Sequence, residues 1–579
     1  MTAPNRATLW GRALVDEFAA AGVEAVCVAP GSRSTPLTVA AAEHPDVEVF
    51  SHLDERAAAF FALGRGRRTG TPTPVVCTSG TAAANLHPAV IEADAGRVPF
   101  LALTADRPAE LQDSGANQTV DQTKLYGDAV RWYHELPEPA PEARRLRSVR
   151  VAAARAVAKT EGANPGPVHL NVPLAKPLEP TPVDGGLPAD LGADRQGPTV
   201  ATTQGTPELA AADRTALARA LEAADRGLIV TGPANGPTPT RDALADLAGA
   251  TGFPVLADPL SGHRFGHRPA DWPAPLCGGY DSFIAAAGDW PDPDLVLRFG
   301  ASPTSKALRH YLREADCRQV VLDPAGGWPE AEFTATDLVA ADPTLVASGL
   351  AEAVDRRGAE SWRARFADAE AAHWDVVTDA GRETLFEGAV LATVAARAPD
   401  PSTLYVSNSM PVRDLDRFGR PREAAVTALG NRGASGIDGM VSSALGAGSA
   451  TEEPLLAVLG DLAYYHDLTG LLAVARCGVD ATLVLVNNDG GGIFHALPIE
   501  DFDPPFTELF RTPHGLDFAP TGDLFEVDFE RVADLAALDS ALEASLGEAG
   551  TRVLEVAVQA EASHRRREAL HERVLGRLE

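Results

Sequence analysis

The sequence predicts an α/β protein built from three domains, each with a parallel β-sheet covered by helices. The chain has 579 residues, which at about 150 residues per domain corresponds to three or four domains. Short apolar runs alternate with helical patterns along most of it, which is typical of strands in a buried parallel sheet. The composition, 45% hydrophobic and 22% charged, is that of an ordinary globular protein.

The first predicted domain covers residues 1–180. A helix is expected over 7–21, because its apolar residues recur on one side. A second helix is expected from 54 to about 63. We interpret the glycine-rich run GRGRRTG at 64–70 as the turn that ends this helix, because its spacing does not fit a dinucleotide-binding loop. The predicted strands of this domain are 23–30, 46–53, 74–80, 98–108 and 166–174.

Two further domains follow a predicted linker at 178–206, a segment rich in Pro, Gly, Asp and Thr. The second domain is expected over 207–356, followed by a polar, helical connection. The third is expected over 386–579 and ends in a charged helix, on which the HRRRE run at 564–568 is predicted to be a solvated face. The predicted strands of these two domains are 226–233, 253–260, 294–300, 318–324, 402–410, 424–433, 454–462, 481–494 and 552–558.

The charge balance argues against two classes of partner. Lys and Arg number 50 against 80 Asp and Glu, so the formal net charge is −30. Sequence-independent nucleic-acid binding and docking on anionic membranes both require a basic surface. The five cysteines are widely spaced and form no CxxC pair, which favours a reduced cytoplasm over a disulfide framework or a zinc site. With no signal-peptide pattern and no apolar run of ~20 residues, we expect a cytoplasmic protein.

The strongest candidate site lies at the ends of two neighbouring predicted strands. Asp461 follows one strand and Asn488 ends the next, a spacing of one helix plus one strand that brings both to the same sheet edge. With the carbonyl of Gly490 they form a half-shell of oxygen ligands that suits Mg²⁺, or Mn²⁺, bound to a diphosphate. Gly490 and Gly491 begin a glycine run that lets the backbone approach phosphates. The alternative is two ordinary turns in which Asp and Asn cap helices.

This pattern resembles a known family. Gly460-Asp461 followed by Asn487-Asn488 is similar to the diphosphate and metal signature of thiamine diphosphate (ThDP) enzymes. Most of these have Gly at the position of Leu462, and this departure resembles one subgroup, the 2-succinyl-5-enolpyruvyl-6-hydroxy-3-cyclohexene-1-carboxylate (SEPHCHC) synthases of menaquinone biosynthesis. The segments that carry the resemblance are PGSRSTPLT (30–38), DERAAAFFALG (54–64), TSGTAAANLHPAVIEA (78–93), LTADRPAEL (103–111), GANQTVDQ (115–122), NSMPVRDLD (408–416), NRGASGIDG (431–439), GDLAYYHDL (460–468) and NNDGGGIFHALP (487–498).

The resemblance covers nearly the whole chain and implies a fold and a reaction. The three domains become a pyrimidine-binding domain, a central Rossmann-like domain that matches least, and a diphosphate-binding domain. The implied reaction is ThDP-dependent decarboxylation of 2-oxoglutarate and addition of the succinyl carbanion to isochorismate, which gives SEPHCHC and CO₂. Glu55 and Asp461 lie in different predicted domains and in this superfamily act on one cofactor across a subunit interface. A homodimer or homotetramer is therefore implied.

Two residues resemble parts of the family that contact the organic portion of the cofactor. Glu55 looks like the glutamate that hydrogen-bonds the pyrimidine ring and exchanges the activating proton. On sequence alone it is more simply an acidic residue in a first helical turn, favoured by the helix dipole. Ile437 resembles the bulky residue that supports the bent form of the cofactor, with an ordinary core isoleucine as the alternative.

Several cations and neighbouring polar residues resemble the substrate-binding groups of the family. Singly, each Arg is usually a surface ion-pair partner and a Lys is usually solvated. Together they suit a site that receives several carboxylates, because guanidinium groups bind carboxylates bidentately. The residues that resemble the isochorismate side are Ser32, Arg33, Arg107, Asn117, Gln118 and Lys306. Those that resemble the side receiving the succinyl carboxylate of 2-oxoglutarate are Ser409, Arg413 and Arg432.

Two rival functions stay open at this point. A related ThDP synthase or decarboxylase could use pyruvate or another 2-oxoacid, but then Arg413 and Arg432 would have no distal carboxylate to bind. A catalytically inactive scaffold of the same fold is the other rival. The presence of Glu55, Asp461 and Asn488 argues against it.

The composition also predicts a halophilic protein. Only four of the 50 basic residues are lysine, and the excess acidic charge destabilises a compact chain through self-repulsion. Raising KCl from 0.1 M to 1 M shortens the Debye length from about 10 Å to about 3 Å. We expect the melting temperature to rise over this range, measured by differential scanning fluorimetry. Sucrose at low ionic strength is the control, because it stabilises without screening charge; a melting temperature highest in dilute buffer contradicts the prediction.

Overall fold

The computed structural model describes residues 3–183, 197–268, 271–380 and 384–578. The helices are α1 (Arg6–Ala20), α2 (Thr35–Glu43), α3 (Glu55–Thr69), α4 (Thr81–Asn85), α5 (His87–Ala95), α6 (Ala143–Thr160), α7 (Ala211–Ala223), α8 (Arg241–Thr251), α9 (Tyr280–Phe283), α10 (Lys306–Glu314), α11 (Pro343–Ala353), α12 (Glu360–Ala380), α13 (Glu387–Arg397), α14 (Met410–Phe418), α15 (Met440–Gly448), α16 (Asp461–His466), α17 (Leu472–Cys477), α18 (Pro520–Phe525), α19 (Leu535–Gly547) and α20 (Ala560–Leu578). The strands are β1 (Ala25–Val28), β2 (Glu48–Ser51), β3 (Pro74–Cys77), β4 (Phe100–Asp106), β5 (Trp132–Glu135), β6 (Pro167–Pro173), β7 (Gly227–Thr231), β8 (Val255–Ala257), β9 (Leu276–Cys277), β10 (Leu295–Phe299), β11 (Arg318–Leu322), β12 (Asp337–Val339), β13 (Ser402–Val406), β14 (Val426–Leu429), β15 (Leu455–Gly460), β16 (Thr482–Asn487), β17 (Asp528–Val532) and β18 (Arg552–Ala557).

The first of two compact units contains the described residues of 1–205, 431–452 and 466–479. Its parallel sheet has the strand order β2-β1-β3-β4-β6-β5. The two long strands β4 and β6 are buried along their whole length, which explains why the sequence shows unbroken apolar runs there rather than alternation.

The second compact unit contains the described residues of 206–430, 453–465 and 480–579. It holds two parallel six-stranded sheets, with the orders β12-β11-β10-β7-β8-β9 and β14-β13-β15-β16-β18-β17. The predicted α/β class with parallel sheets is thus confirmed. No helix in the described part of the chain is long and apolar enough to cross a membrane.

The glycine-rich run at 64–70 differs from its prediction as a turn. Helix α3 continues through it to Thr69 and ends at Gly70, which adopts a left-handed conformation with φ 73° that glycine tolerates best. A Cβ atom at Gly64 would collide with the carbonyl oxygen of Ser443 on α15. The glycine in mid-helix therefore lets α3 and α15 pack closely, which composition cannot reveal.

Short or polar strands account for the other differences. The strands β5, β9, β12 and β17 were not predicted. β5 is half-buried over most of its length and β17 is largely exposed, so neither has an apolar run. The predicted linker 178–206 lies partly outside the described residues, at 184–196. Beyond that gap, the hydroxyl of Thr199 donates to the carboxylate of Glu17 at 2.7 Å. The HRRRE prediction is wrong for Arg567, which is 5% exposed.

A buried ion pair joins the two sheets of the second unit. The guanidinium of Arg264 donates to the carbonyl of Ala257, at the end of β8, at 2.8 Å and to the carboxylate of Asp416, on α14, at 2.7 Å. The hydroxyl of Tyr280 donates to the same carboxylate oxygen at 2.9 Å. Both charged side chains are almost fully buried, so each needs the other to offset the loss of hydration.

We expect Arg264→Met to destabilise the protein by about 3–5 kcal/mol, because it leaves the carboxylate of Asp416 buried without its cation. Urea denaturation followed by circular dichroism measures the change. Arg268→Met is the matched control: Arg268 pairs with Glu423 at 3.1 Å, but both side chains are exposed. The control should unfold like the unmodified protein, and equal losses from both variants would contradict the assignment.

Candidate active site

Asp461 and Asn488 lie side by side at the carboxyl edge of the third sheet. Strands β15 and β16 run parallel with Gly460 opposite Val486. The residues that follow the two strands therefore lie at the same edge of the sheet. One oxygen of Asp461, Oδ2, accepts the backbone N–H of Asn488 at 3.2 Å and that of Gly490 at 2.9 Å. Burial raises the pKa of Asp461, and hydrogen bonds from the backbone of Gly490, the side chain of His514 and the backbone of Leu462 oppose the rise.

The side-chain amide of Asn488 has a fixed orientation. Its Nδ2 donates to Oε1 of Glu387 at 2.6 Å, and a carboxylate can only accept. The other amide atom, Oδ1, is therefore the acceptor, and it is buried without a hydrogen-bond partner among the described residues. A buried acceptor is rarely left unpaired in a protein, so this atom suits a metal ion, and the residues fit the predicted metal site.

Glycines 490 and 491 allow a close approach of two backbone segments. Gly490 has φ +133°, and a Cβ atom there would collide with the carbonyl oxygen of Arg511. The backbone N–H of Gly491 donates to that same carbonyl at 2.7 Å. In this structure the two glycines thus make room for the backbone of residues 510–511. Close packing of the backbone therefore explains why glycine occurs at both positions.

His514 is a member of the site that the sequence analysis missed. Its Nε2 lies 3.2 Å from Oδ2 of Asp461. Its Nδ1 accepts the backbone N–H of Leu516 at 2.9 Å, so the proton of a neutral ring is on Nε2 and points to the carboxylate. His514 lies 53 residues after Asp461 in an irregular loop, and no motif spacing marks it.

Glu55 begins α3 in the first unit. The capping role at this helix end belongs to Asp54, whose carboxylate accepts the N–H groups of Arg56 and Ala57. Glu55 is half-buried and accepts no hydrogen bond from any residue in the described part of the chain. Its negative charge adds to the effect of burial in raising the pKa of the Cys77 thiol. The carboxyl group is therefore available to a ligand.

The loop at 431–439, which contains Arg432 and Ile437, belongs to the first compact unit. The buried carboxylate of Glu92 accepts the backbone N–H groups of residues 433–435 at 2.7–3.2 Å. Arg67 pairs with the same carboxylate at 2.9 Å. Both Arg432 and Ile437 are half-buried. Glu92 thus holds the loop, a role that the sequence analysis did not foresee.

The first unit brings two predicted cations together. Arg33 is buried, and its Nη1 donates to the carbonyl of Leu174 at 2.5 Å. Burial lowers the pKa of Arg33, and the positive charge of Arg107 lowers it further, with Asp106 acting against both. Two guanidinium groups that repel each other in this way favour an anionic ligand.

A cavity of about 960 Å³ lies beside Arg107 in the first unit. Arg107 donates from Nη2 to the carbonyl of Asn117 at 2.8 Å, and the exposed side chain of Gln118 donates to the carbonyl of Ser79 at 3.0 Å. Ser32 is exposed in the turn before α2. Of these residues only Arg107 lines the cavity, and the other charged side chains of its lining are acidic. The volume is large enough for a small organic acid.

A second cavity, of about 360 Å³, lies in the second unit and is lined by Lys306 and Arg413. The Nη1 atom of Arg413 donates to the carbonyl of Ser409 at 2.6 Å. Arg309 also lines this cavity and was not predicted. The resemblance predicts Lys306 on the isochorismate side with residues of the first domain, whereas in the structure Lys306 lines the same cavity as Arg413.

Comparison with known proteins gives the family. The N-terminal domain model of thiamine pyrophosphate enzymes matches residues 10–125, and the C-terminal domain model matches 413–556. SEPHCHC synthase of Haloarcula marismortui is 61% identical, with 99% of each chain covered, and that of Halobacterium salinarum is 60% identical over all of both chains. SEPHCHC synthase of a Roseiflexus species is 46% identical over 98% of both. The chain belongs to the SEPHCHC synthase family.

As a member of this family, the protein is an enzyme that depends on thiamine pyrophosphate, the same compound as ThDP. The matched ranges contain Glu55 in the N-terminal model and Asp461 and Asn488 in the C-terminal model. Lys306 lies outside both ranges. The family resemblance inferred from the motifs is thus confirmed.

If Asp461 is a metal ligand as predicted, we expect Asp461→Ala to weaken Mg²⁺ binding in the presence of ThDP by more than about 100-fold, because losing a ligand costs more than losing a residue that orients one. Isothermal titration calorimetry measures the affinity. Asp480→Ala, which removes an exposed carboxylate before β16, is the control and should bind like the unmodified protein. Unchanged Mg²⁺ affinity in Asp461→Ala would remove this residue from the metal site.

Proposed function

We propose that this enzyme decarboxylates 2-oxoglutarate and adds the remaining succinyl unit to isochorismate, giving SEPHCHC and CO₂ in menaquinone biosynthesis. The observation that carries the proposal is end-to-end identity of 46–61% to synthases named for this product. The cavity of about 360 Å³ supplies a physical reason, because Lys306, Arg309 and Arg413 line it and 2-oxoglutarate carries two carboxylates.

The metal and the cofactor have candidate binding groups in this chain. Asp461, the Oδ1 atom of Asn488 and the carbonyl of Gly490 would hold Mg²⁺ or Mn²⁺, and Gly491 would lie against the diphosphate. When bound, ThDP supplies a carbon nucleophile and an electron sink for the decarboxylated carbon. Glu55 would hold a proton on its carboxyl group and exchange it with the pyrimidine ring nitrogen.

The two substrates would bind at different groups of cations. Arg413, with Ser409 and Lys306 beside it, would receive the distal carboxylate of 2-oxoglutarate in the cavity of about 360 Å³. Arg33 and Arg107 would receive isochorismate, since their mutual repulsion is relieved by an anion. Fixed cations orient both substrates and so lower the entropic barrier to carbon–carbon bond formation. The remaining groups proposed to contact substrate or cofactor are Ser32, Asn117, Gln118, Arg432 and Ile437.

The proposal extends to the assembly and its setting. The predicted domains 1–180, 207–356 and 386–579 correspond to one parallel sheet each, which supports these boundaries. The active form would be a homodimer or homotetramer in which Glu55 of one copy and Asp461 of another serve one cofactor. The enzyme would work in a salt-rich cytoplasm, as its acidic composition favours.

The proposed reaction is tested with purified protein, ThDP, Mg²⁺ and 2-oxoglutarate, with and without isochorismate. Mass spectrometry should find SEPHCHC only when both substrates are present. Consumption of pyruvate in place of 2-oxoglutarate would support the rival synthase instead. Binding of ThDP with no turnover of any 2-oxoacid would support an inactive scaffold.

We expect two arginine variants to affect different halves of the reaction. Arg413→Gln should slow single-turnover CO₂ release from 2-oxoglutarate by about 10–150-fold, the effect of losing one charge-assisted hydrogen bond. Arg107→Gln should leave that step intact and slow only product formation with isochorismate. Each variant is the control for the other, and CO₂ trapping measures the rate of CO₂ release in both. Equal slowing of CO₂ release by both would contradict the division of the substrates.

A further inference from the structure

We infer that Glu387 is a positioning residue for the metal site, and that it fixes the amide of Asn488 so that Oδ1 faces the ion. This inference rests on the proposed metal site and adds a residue that no sequence motif marked. In the role inferred here, the carboxylate of Glu387 binds neither the metal nor a substrate. It acts through Asn488, whose side chain has two ends of similar size and opposite hydrogen-bonding character.

The contact between the two side chains gives the orientation. An Asn side chain presents oxygen or N–H₂ depending on a rotation of 180°, and only the oxygen can bind a cation. Glu387 Oε1 lies 2.6 Å from Asn488 Nδ2. The flipped amide would place its oxygen against the carboxylate oxygen, where the two acceptors repel each other. An ionised Glu387 therefore selects one rotamer in advance of metal binding.

The far side of Glu387 is held by a buried cation. Arg567, on the C-terminal helix α20, donates from Nη2 to Oε2 of Glu387 and pairs through Nε with Asp414 at 2.6 Å. Glu387 is 2% exposed, Asp414 1% and Arg567 5%. Burial alone would lower the pKa of Arg567, but the charges of Asp414 and Glu387 raise it. The guanidinium occupies Oε2 of Glu387, which leaves Oε1 as the atom that faces the amide of Asn488.

Steric packing limits the same amide. A Cβ atom added at Gly492 would lie 2.5 Å from Nδ2 of Asn488 and 3.5 Å from Oε1 of Glu387. Gly492 therefore leaves the space that the amide of Asn488 occupies, and a larger residue there would displace the amide. Hydrogen bonding to Glu387 fixes which end of the amide faces which partner.

The pair Glu387 and Asp414 provides a matched test, because both are buried carboxylates bound to the same guanidinium. Only Glu387 also contacts Asn488. The experiment compares Glu387→Gln with Asp414→Asn, each of which removes one buried negative charge. Binding of Mn²⁺ in the presence of ThDP is followed by electron paramagnetic resonance, which requires no turnover, and melting temperatures report the cost to the fold.

We expect Glu387→Gln to weaken Mn²⁺ binding by about 10–100-fold, the usual effect of losing a residue that orients a metal ligand. A glutamine can accept from or donate to the amide, so the orientation of Asn488 is no longer imposed. Asp414→Asn should bind Mn²⁺ like the unmodified protein even if its melting temperature falls equally. Equal weakening in both variants would show general destabilisation and overturn the inference, as would unchanged binding in Glu387→Gln.

If Glu387→Gln does not fold, Glu387→Asp replaces it. This variant keeps the charge that pairs with Arg567 but shortens the side chain by one methylene, so its reach to Asn488 is reduced. We expect Mn²⁺ affinity between those of the unmodified protein and Asn488→Ala; affinity equal to the unmodified protein overturns the inference. A failure of the unmodified protein to bind Mn²⁺ would instead refute the proposed metal site on which the inference depends.

Discussion

The buried carboxylate of Asp461 is the constraint on which the edge of the third sheet depends. A carboxylate removed from water must be surrounded by donors or by a cation, and here two of the donors come from the backbone that follows the next strand. The N–H groups of Asn488 and Gly490 both point to its Oδ2 atom. The side chain of Asp461, which follows β15, therefore fixes the path of the backbone after β16.

A cluster of three buried charged side chains also supports this edge of the third sheet. Glu387 lies at the start of α13, Asp414 on α14 and Arg567 on α20, so two consecutive helices meet the C-terminal helix at one guanidinium. Buried charges of this kind contribute little net stability. These charges do restrict the positions of the three side chains, because moving any one of them away from its partner costs free energy. A metal site benefits from such restriction, since its ligands must be in place before the ion arrives.

The sequence predicted features that depend on local pattern. Apolar runs located the central strands, and the 27-residue separation of Asp461 and Asn488 predicted their adjacency because parallel strands place their carboxyl ends together. The pattern failed where tertiary contacts decide. Arg567 lies within a charged run and looks solvated, but its partners are 153 and 180 residues away. His514 and Glu92 are likewise positioned by contacts that no spacing reveals.

The most direct test of the account is a crystal structure of the protein with ThDP and Mn²⁺, with data collected near the manganese absorption edge. The account predicts one anomalous peak per active site at coordination distance from the carboxylate of Asp461 and from Oδ1 of Asn488, with Nδ2 of Asn488 still donating to Glu387. A peak elsewhere, or an Asn488 amide turned so that Nδ2 faces the ion, would contradict it.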